Sequence, residues 1–447
     1  MTTNRTCSAP IFPYREESGI LLRRMENHGM IEMAESDRIP RRMIRLRRVD
    51  WRNVMKTNFD QIVERQGTYS VKWMGAGGNG VDYLNPEITL PFQVADMDLA
   101  CPDPIVAAMH RVADHRIYGY SGATDEYYGA LMNWYRRVYD LELKREWIIP
   151  SHGSMSAVNA AISAFTNVGD GVIICRPVYG HFTGCIEEEY YRKAVNVQLI
   201  NSDGYYTMDW DAFEAACAVP TNRVFILCSP ANPVGRVWTK EELARMCEIT
   251  RRHSVILVAD EVHCDLLMKG ARHTPILQAT DDWSNIILVT GINKTFNVAG
   301  LACANAVIPD DTLRGIFRKE FGGGLLSPFS IAALIAALTE CDEWLADLRE
   351  YIEGNIDAAI AYLAEAMPKV KVRKPEGTYI LWLDFSAYGL SAEEIHDKIY
   401  NRAKVRLQDG LVHDPDLGGQ FQRLCVPCAR EVLMEGLRRM AEEFQNN

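Results

Sequence analysis

The stretch NIILVTGINK (285–294) is apolar and β-branched until it turns at Gly291 and closes on Lys294. Upstream, SVILVAD (254–260) is a second run of the same kind and ends on Asp260. Before that, VFILCSP (224–230) runs into SPANPVGRVW (229–238), which sets Asn232 in a Pro-Gly turn. Runs that are apolar throughout, rather than alternating, read as strands buried on both faces of a mostly parallel sheet. Such sheets present their chemistry beyond the carboxyl ends of the strands, which is where Asn232, Asp260 and Lys294 stand.

Working outward, VIICRPV (172–178) is a further strand candidate, and GLACANAVI (300–308) a weaker one. Between about 100 and 330 these runs alternate with helical patterns, which predicts βαβ units and an α/β fold with a large, mostly parallel wrapped sheet. After about 330 the texture changes to a long helical stretch, 331–367, followed by the strand candidates VKVRK (370–374) and TYILWLDF (378–385). That pattern predicts a smaller α+β domain. The expected division is 55–95 with 331–447 for the small domain and 96–330 for the large one. Residues 1–54 stand apart, with eleven Arg, no Lys and no sustained period. They are expected to be a disordered tail or the product of a start codon upstream of the true one, with a basic tethering arm and a targeting peptide as alternatives.

A chain of 447 residues is long enough for two domains and a large core. Its formal charge of −11 argues against non-specific nucleic-acid binding. It has no run of eighteen apolar residues and no apolar N-terminal segment of the secretory kind, so neither a membrane span nor export is expected. Twelve scattered cysteines suit a reducing compartment, and the cytoplasm is the expected location. Cys425 and Cys428 form a lone C-x-x-C without two further ligands at similar spacing, so packing is expected and no metal. The GAGGNG run (75–80) matches a dinucleotide fingerprint by letter but lacks a preceding strand and a following helix, and reads as a loop.

A lysine and a carboxylate brought together at strand ends suit pyridoxal phosphate, which needs a Schiff-base lysine and an acid on its ring nitrogen. The ordered runs LPFQVADMDL (90–99), HRIYGYS (115–121), RPVYGHF (176–182), CSPANPVGRVW (228–238) and NKTFNVAGL (293–301) carry a closer likeness. So do EGTYILWLDF (376–385) and GGQFQRLCVPCAR (418–430). Together they resemble the fold-type I pyridoxal-phosphate enzymes of the class I/II aminotransferase superfamily. Within it they resemble the cystathionine β-lyases and cysteine-S-conjugate β-lyases of the MalY/PatB kind, from about Asn58 to the C-terminus.

The resemblance implies roles residue by residue. Lys294 would bond the cofactor aldehyde and then act as the base, Asp260 would pair with the ring nitrogen, and Asn232 and His263 would face the phenolic oxygen. A satisfied core histidine is the alternative for His263. Gly153, Ser154 and Met155, in SHGSMSAVNAAISAF (151–165), would cradle the phosphate at a helix start. Tyr179 would stack on the ring, and Arg423 would clamp the substrate carboxylate through paired hydrogen bonds. Tyr120 would reach the partner subunit's phosphate, which implies a homodimer with a shared site; Tyr118 is its rival. The chain departs from the common pattern at Gly291, Asn293, Ala302 and Cys425, and Thr290 is a candidate substitute for a missing hydroxyl. Asp96 and Asp98 read as structural. The implied reaction is α,β-elimination from L-cystathionine or an L-cysteine S-conjugate, giving pyruvate, ammonia and a thiol. Transamination by the same residues and a protein-binding regulatory role remain alternatives, since fold alone does not separate them.

Overall fold

Seven strands build the central sheet: β1 (Ile148–Ser151), β2 (Gly171–Ile174), β3 (Lys193–Asn196), β4 (Asn222–Cys228), β5 (Ile256–Asp260), β6 (Ile286–Gly291) and β7 (Ala304–Val307). Their spatial order is β1-β7-β6-β5-β4-β2-β3. The pairs from β3 to β6 are parallel, while β7 runs antiparallel to both of its neighbours. The computed structural model describes residues 56–445 apart from 66, 77–79 and 324. The expectations for residues 1–54 and for the middle of the 75–80 run therefore lie outside the described residues.

Alternate side chains of the inner strands enter two separate cores. Ile173, Phe225, Leu227, Leu257, Ala259 and Leu288 pack on one face. Val172, Ile174, Val224, Ile226, Val258, Ile287 and Val289 pack on the other. Strict alternation at full burial is what a pleated strand covered on both sides requires. Each such aliphatic side chain contributes about 1.5–3 kcal/mol of transfer free energy, so the sheet centre is a firm platform for what lies beyond its edge.

Helices α1 (Asp103–His115), α2 (Asp125–Tyr139), α3 (Ser154–Phe165), α4 (Trp210–Cys217), α5 (Lys240–Arg252), α6 (Asp311–Phe321), α7 (Pro328–Glu340), α8 (Asp342–Ala366) and α9 (Arg430–Phe444) supply most of the cover. Local chemistry sets their ends. In α5, Thr239 accepts from the Glu242 N–H while the Glu242 carboxylate accepts from the Thr239 N–H, a complete capping box. The apolar stretch 331–367 divides at Cys341 into α7 and α8, and Asp342 and Glu343 place negative charge at the start of the second helix. Helix α7 packs on α1 and α2, so the expected boundary at 330/331 falls inside a helix.

A second, antiparallel sheet has the order β8-β9-β11-β10, with β8 (Lys371–Val372), β9 (Ile380–Asp384), β10 (Gln408–Asp409) and β11 (Phe421–Cys425). Of VKVRK, only Lys371 and Val372 are paired as a strand. Arg423 sits in the middle of β11, opposite Trp382 on one side and Gln408 on the other. No helix of the described residues is long and apolar enough to cross a membrane.

Candidate active site

Strands β4, β5 and β6 end side by side, with Cys228 opposite Asp260 and Asp260 opposite Val289. Their register brings the Asn232 turn, Asp260 and the loop to Lys294 to one rim. There a cavity of about 530 Å³ opens, lined by Gly153, Ser154, Met155, Tyr179, Asn232, Asp260, His263, Lys294 and Arg423. All nine belong to the set read from the sequence. The tenth, Tyr120, does not enter its own chain's cavity. It is 99% exposed in the α1–α2 connection and lines a second cavity that shares His152 and Ala302 with the first.

The basic and acidic groups are held by the backbone. Lys294 Nζ donates to the Ala95 carbonyl at 2.6 Å, and Tyr379 Oη donates to the same oxygen at 2.8 Å. Burial lowers the Lys294 pKa, with Arg423 adding to the shift while Cys425, Asp96 and Asp260 oppose it. Asp260 Oδ1 accepts from the Val262 N–H at 3.2 Å. Burial pushes its carboxyl up to about 6, against the pull of that N–H and of Lys294. Arg423 donates to the Gln93 carbonyl at 2.6 Å and to Asn232 Oδ1 at 3.3 Å. Tyr179 is raised to about 12, chiefly by burial.

Two side-chain nitrogens are left without partners in this buried setting. His263 Nδ1 and Arg423 Nε have no hydrogen-bond partner, although buried polar atoms rarely go unpaired. The His263 ring lies edge-on to Tyr379 at 5.6 Å, and burial keeps it neutral by lowering its pKa well below the usual value, with Lys294 and Arg423 adding to that. Its Nδ1 lacks the partner that a satisfied core histidine would have. Gly153 precedes α3 with φ +93°, and the space a Cβ would occupy is empty. A helix start leaves its first N–H groups unpaired within the helix and carries the positive end of the dipole. Unpaired nitrogens, a helix start suited to an anion, a neutralisable lysine and a buried carboxylate fit the chemistry of pyridoxal phosphate.

One departure from the common pattern has a steric cause. A Cβ at Gly291 would stand 2.8 Å from the Cys303 carbonyl oxygen, so no hydroxyl residue fits there. Thr290 is buried and is not among the residues lining the cavity. Asn293 does line it, with its side-chain oxygen accepting from the Cys303 N–H at 3.3 Å. Cys425 and Cys428 are buried free thiols, and burial pushes Cys428 up to about 12. His152, His181, Gln93 and Gln408 also line the cavity and were not anticipated.

A wrapped, parallel-centred sheet meeting a lysine, an acid and an arginine at one rim defines the aminotransferase-like class of folds. The chain belongs to the aminotransferase class I and II family, whose model matches residues 89–439. It is 37% identical over 388 residues to cystathionine beta-lyase PatB of Bacillus subtilis (strain 168), covering 86% of this chain and 98% of that one. Protein MalY of Escherichia coli (strain K12) is 29% identical over 387 residues, 85% and 97% of the two chains. Cystalysin from Treponema denticola, whose crystal structure contains a pyridoxal 5'-phosphate cofactor, matches with a TM-score of 0.82 and 30% identity. That match covers 88% of this chain and 100% of the other.

Proposed function

We propose that the protein is a pyridoxal-phosphate-dependent carbon–sulfur lyase that eliminates a thiol from L-cystathionine or another L-cysteine S-conjugate, leaving pyruvate and ammonia. One observation carries the chemistry: Lys294, Asp260 and Arg423 converge on a single cavity from two different sheets. The extent of the likeness to PatB favours elimination over transamination.

When bound, pyridoxal phosphate supplies an aldehyde for the amine and a ring that takes up electron density from Cα. In this reading Lys294 Nζ anchors the group and then removes the Cα proton, a task that its lowered pKa suits. The Asp260 carboxylate holds a proton on the ring nitrogen. Asn232 and His263 would face the phenolic oxygen and Tyr179 the ring, and Ser154 and Met155 would offer backbone N–H groups to the phosphate at the turn made by Gly153, whose own N–H donates to the Ser151 carbonyl at 3.0 Å. Arg423, which lines the cavity and keeps an unpaired Nε, would bind the substrate carboxylate. The partner subunit's Tyr120 completes the phosphate site, which makes the working unit a homodimer. The segments 55–95 with 331–447, and 96–330, are the two domains of this reading, with α7, in which the 330/331 boundary falls, packing on α1 and α2 of the larger one. The acidic charge and the free thiols of the described residues support a cytoplasmic location.

The test is direct. The protein loaded with pyridoxal phosphate is incubated with L-cystathionine, and separately with an amino acid and 2-oxoglutarate. Pyruvate and a free thiol in the first mixture, with little glutamate in the second, are expected. Glutamate without thiol would make the enzyme an aminotransferase. Lys294→Ala is expected to lose the cofactor's visible band and all but a trace of elimination, at least about a thousandfold.

A further inference from the structure

Lys72 is almost fully enclosed, at 1% exposure. Its Nζ lies 2.9 Å from Asp98 Oδ2 and 3.8 Å from Asp96 Oδ1, and donates to the Asp96 carbonyl at 3.1 Å. Arg65 is the second cation of the cluster, paired with Asp98 and 3.9 Å from Asp96 Oδ2, and Trp73 Nε1 donates to Asp98 at 2.9 Å. Burying a cation is costly unless it is paired, and here two cations meet two carboxylates.

The stretch these ions hold, 92–100, lies outside helices and strands. Its Gln93 carbonyl takes the Arg423 guanidinium and its Ala95 carbonyl takes Lys294 Nζ. The Gln93 side chain donates back to the Lys72 carbonyl at 3.3 Å, and the Asp98 N–H donates to Pro427 at 2.9 Å. The proposed base and the proposed carboxylate clamp are thus both referenced to one short irregular segment, held by the ion cluster around Lys72 together with the Asn297 side chain, which bonds the backbone of Met97 and Leu99. Asp96 also acts on Lys294 electrostatically, and its Oδ1 is buried without a hydrogen-bond partner.

We propose that Lys72 is a positioning residue for the reaction: it pins the 93–98 segment that sets Lys294 against Arg423, and it offsets the Asp96 charge that Lys294 feels. The proposal rests on the lyase reading above. The groups facing Lys294 are Asp260 from β5, His263 from the following loop, Arg423 and Cys425 from β11, and Asp96. Those facing Lys72 are Asp96, Asp98 and Cys428. Burial raises the Asp96 carboxyl, with Lys72 opposing and Asp98 reinforcing the shift. Removing Lys72 therefore leaves excess negative charge beside Lys294, and removing Asp96 leaves excess positive charge.

The test uses the cofactor-loaded protein and the variants Lys72→Met, Asp96→Asn and the double substitution. The readouts are the pH midpoint of the bound cofactor's visible band, KM and kcat for elimination, and the unfolding temperature. Lys72→Met is expected to move the midpoint up by about half a unit or more and Asp96→Asn down by a similar amount. The double variant is expected to return it near the wild-type value. Lys72→Met also raises KM by a larger factor than it lowers kcat, because Arg423 loses its fixed carbonyl. The Asp96 side chain is 27% exposed, so its amide replacement keeps a folded protein available even where Lys72→Met does not. Single variants whose midpoints stay put, or move together while only the unfolding temperature falls, would make Lys72 merely structural. A wild-type protein with no such band defeats the lyase reading itself, and does so without reference to any variant.

Discussion

At the Asp260 carboxyl, function works against stability. Burial raises it from an ordinary 3.8 to about 6 before any ring nitrogen is present to pair with it. A carboxyl with a raised folded-state pKa binds its proton more tightly in the folded chain than in the unfolded one. The cofactor-free fold therefore loses stability as pH rises from about 4 to about 6, and stays weakened above that. Two units correspond to about 3 kcal/mol. Asp260→Asn, which keeps an acceptor for the Val262 N–H, is expected to stabilise the cofactor-free protein by on the order of 2–3 kcal/mol at pH 8 and by little at pH 4. Elimination is nonetheless lost. Denaturant unfolding at several pH values checks this, and a gap that does not change with pH would contradict it. Asp260, Asn232 and Lys294 were legible in the sequence because each stands at or just beyond an apolar strand-like run, and Arg423 was legible only through the family resemblance. Lys72 and Tyr379 were not. Their meaning lies in contacts with Asp98 and Ala95, which only the folded chain brings close.

Among the elements, legibility followed burial. The inner strands β2, β4, β5 and β6 read clearly because both of their faces are apolar. In the central sheet, the two strands that escaped reading, β1 and β3, are its edges. Strand β1 contains Pro150, which is tolerated at an edge and argues against a strand elsewhere, and β3 is half exposed with mixed residues. Between the elements, the turn carrying Asn232 is locked by Gly235. That residue has φ +70°, and its carbonyl accepts from both Glu376 and Gly377. A Cβ there would meet Pro375 Cβ at 2.3 Å. Gly235→Ala thus combines a left-handed backbone, about 1–2 kcal/mol, with an overlap that pushes the two loops apart. A loss of about 2–4 kcal/mol in unfolding free energy is expected, together with weaker pyridoxal phosphate binding as Asn232 shifts. Calorimetry and a cofactor titration measure the two effects separately. Unchanged affinity in a destabilised protein would show that the turn can yield without moving Asn232.

For the whole molecule, the decisive residue is the one its own site leaves out. Tyr120 projects into solvent beside Tyr118 and Ile117, which are also exposed, and across a second cavity from Leu325. That cavity meets the first at His152 and Ala302, next to the helix start proposed for phosphate. A two-fold dimer that covered this face could bring each Tyr120 to the other subunit's site. Complementation tests the arrangement without a structure of the assembly. Lys294→Ala and Tyr120→Ala homodimers are each expected to be nearly inactive. Co-expressed, they form mixed dimers in which one site has Lys294 from one subunit and Tyr120 from the other, both intact. With random pairing, half of the dimers are mixed and carry one working site each, so activity should recover to about a quarter of wild type. Purification through two different tags should raise that to about one half. Recovery cannot occur if Tyr120 serves its own chain, because every site would then lack one of the two residues. Activity that stays at the level of the parent variants, in a mixed dimer confirmed by both tags, would place Tyr120 outside the neighbouring site and leave phosphate binding to α3 and the loops around it.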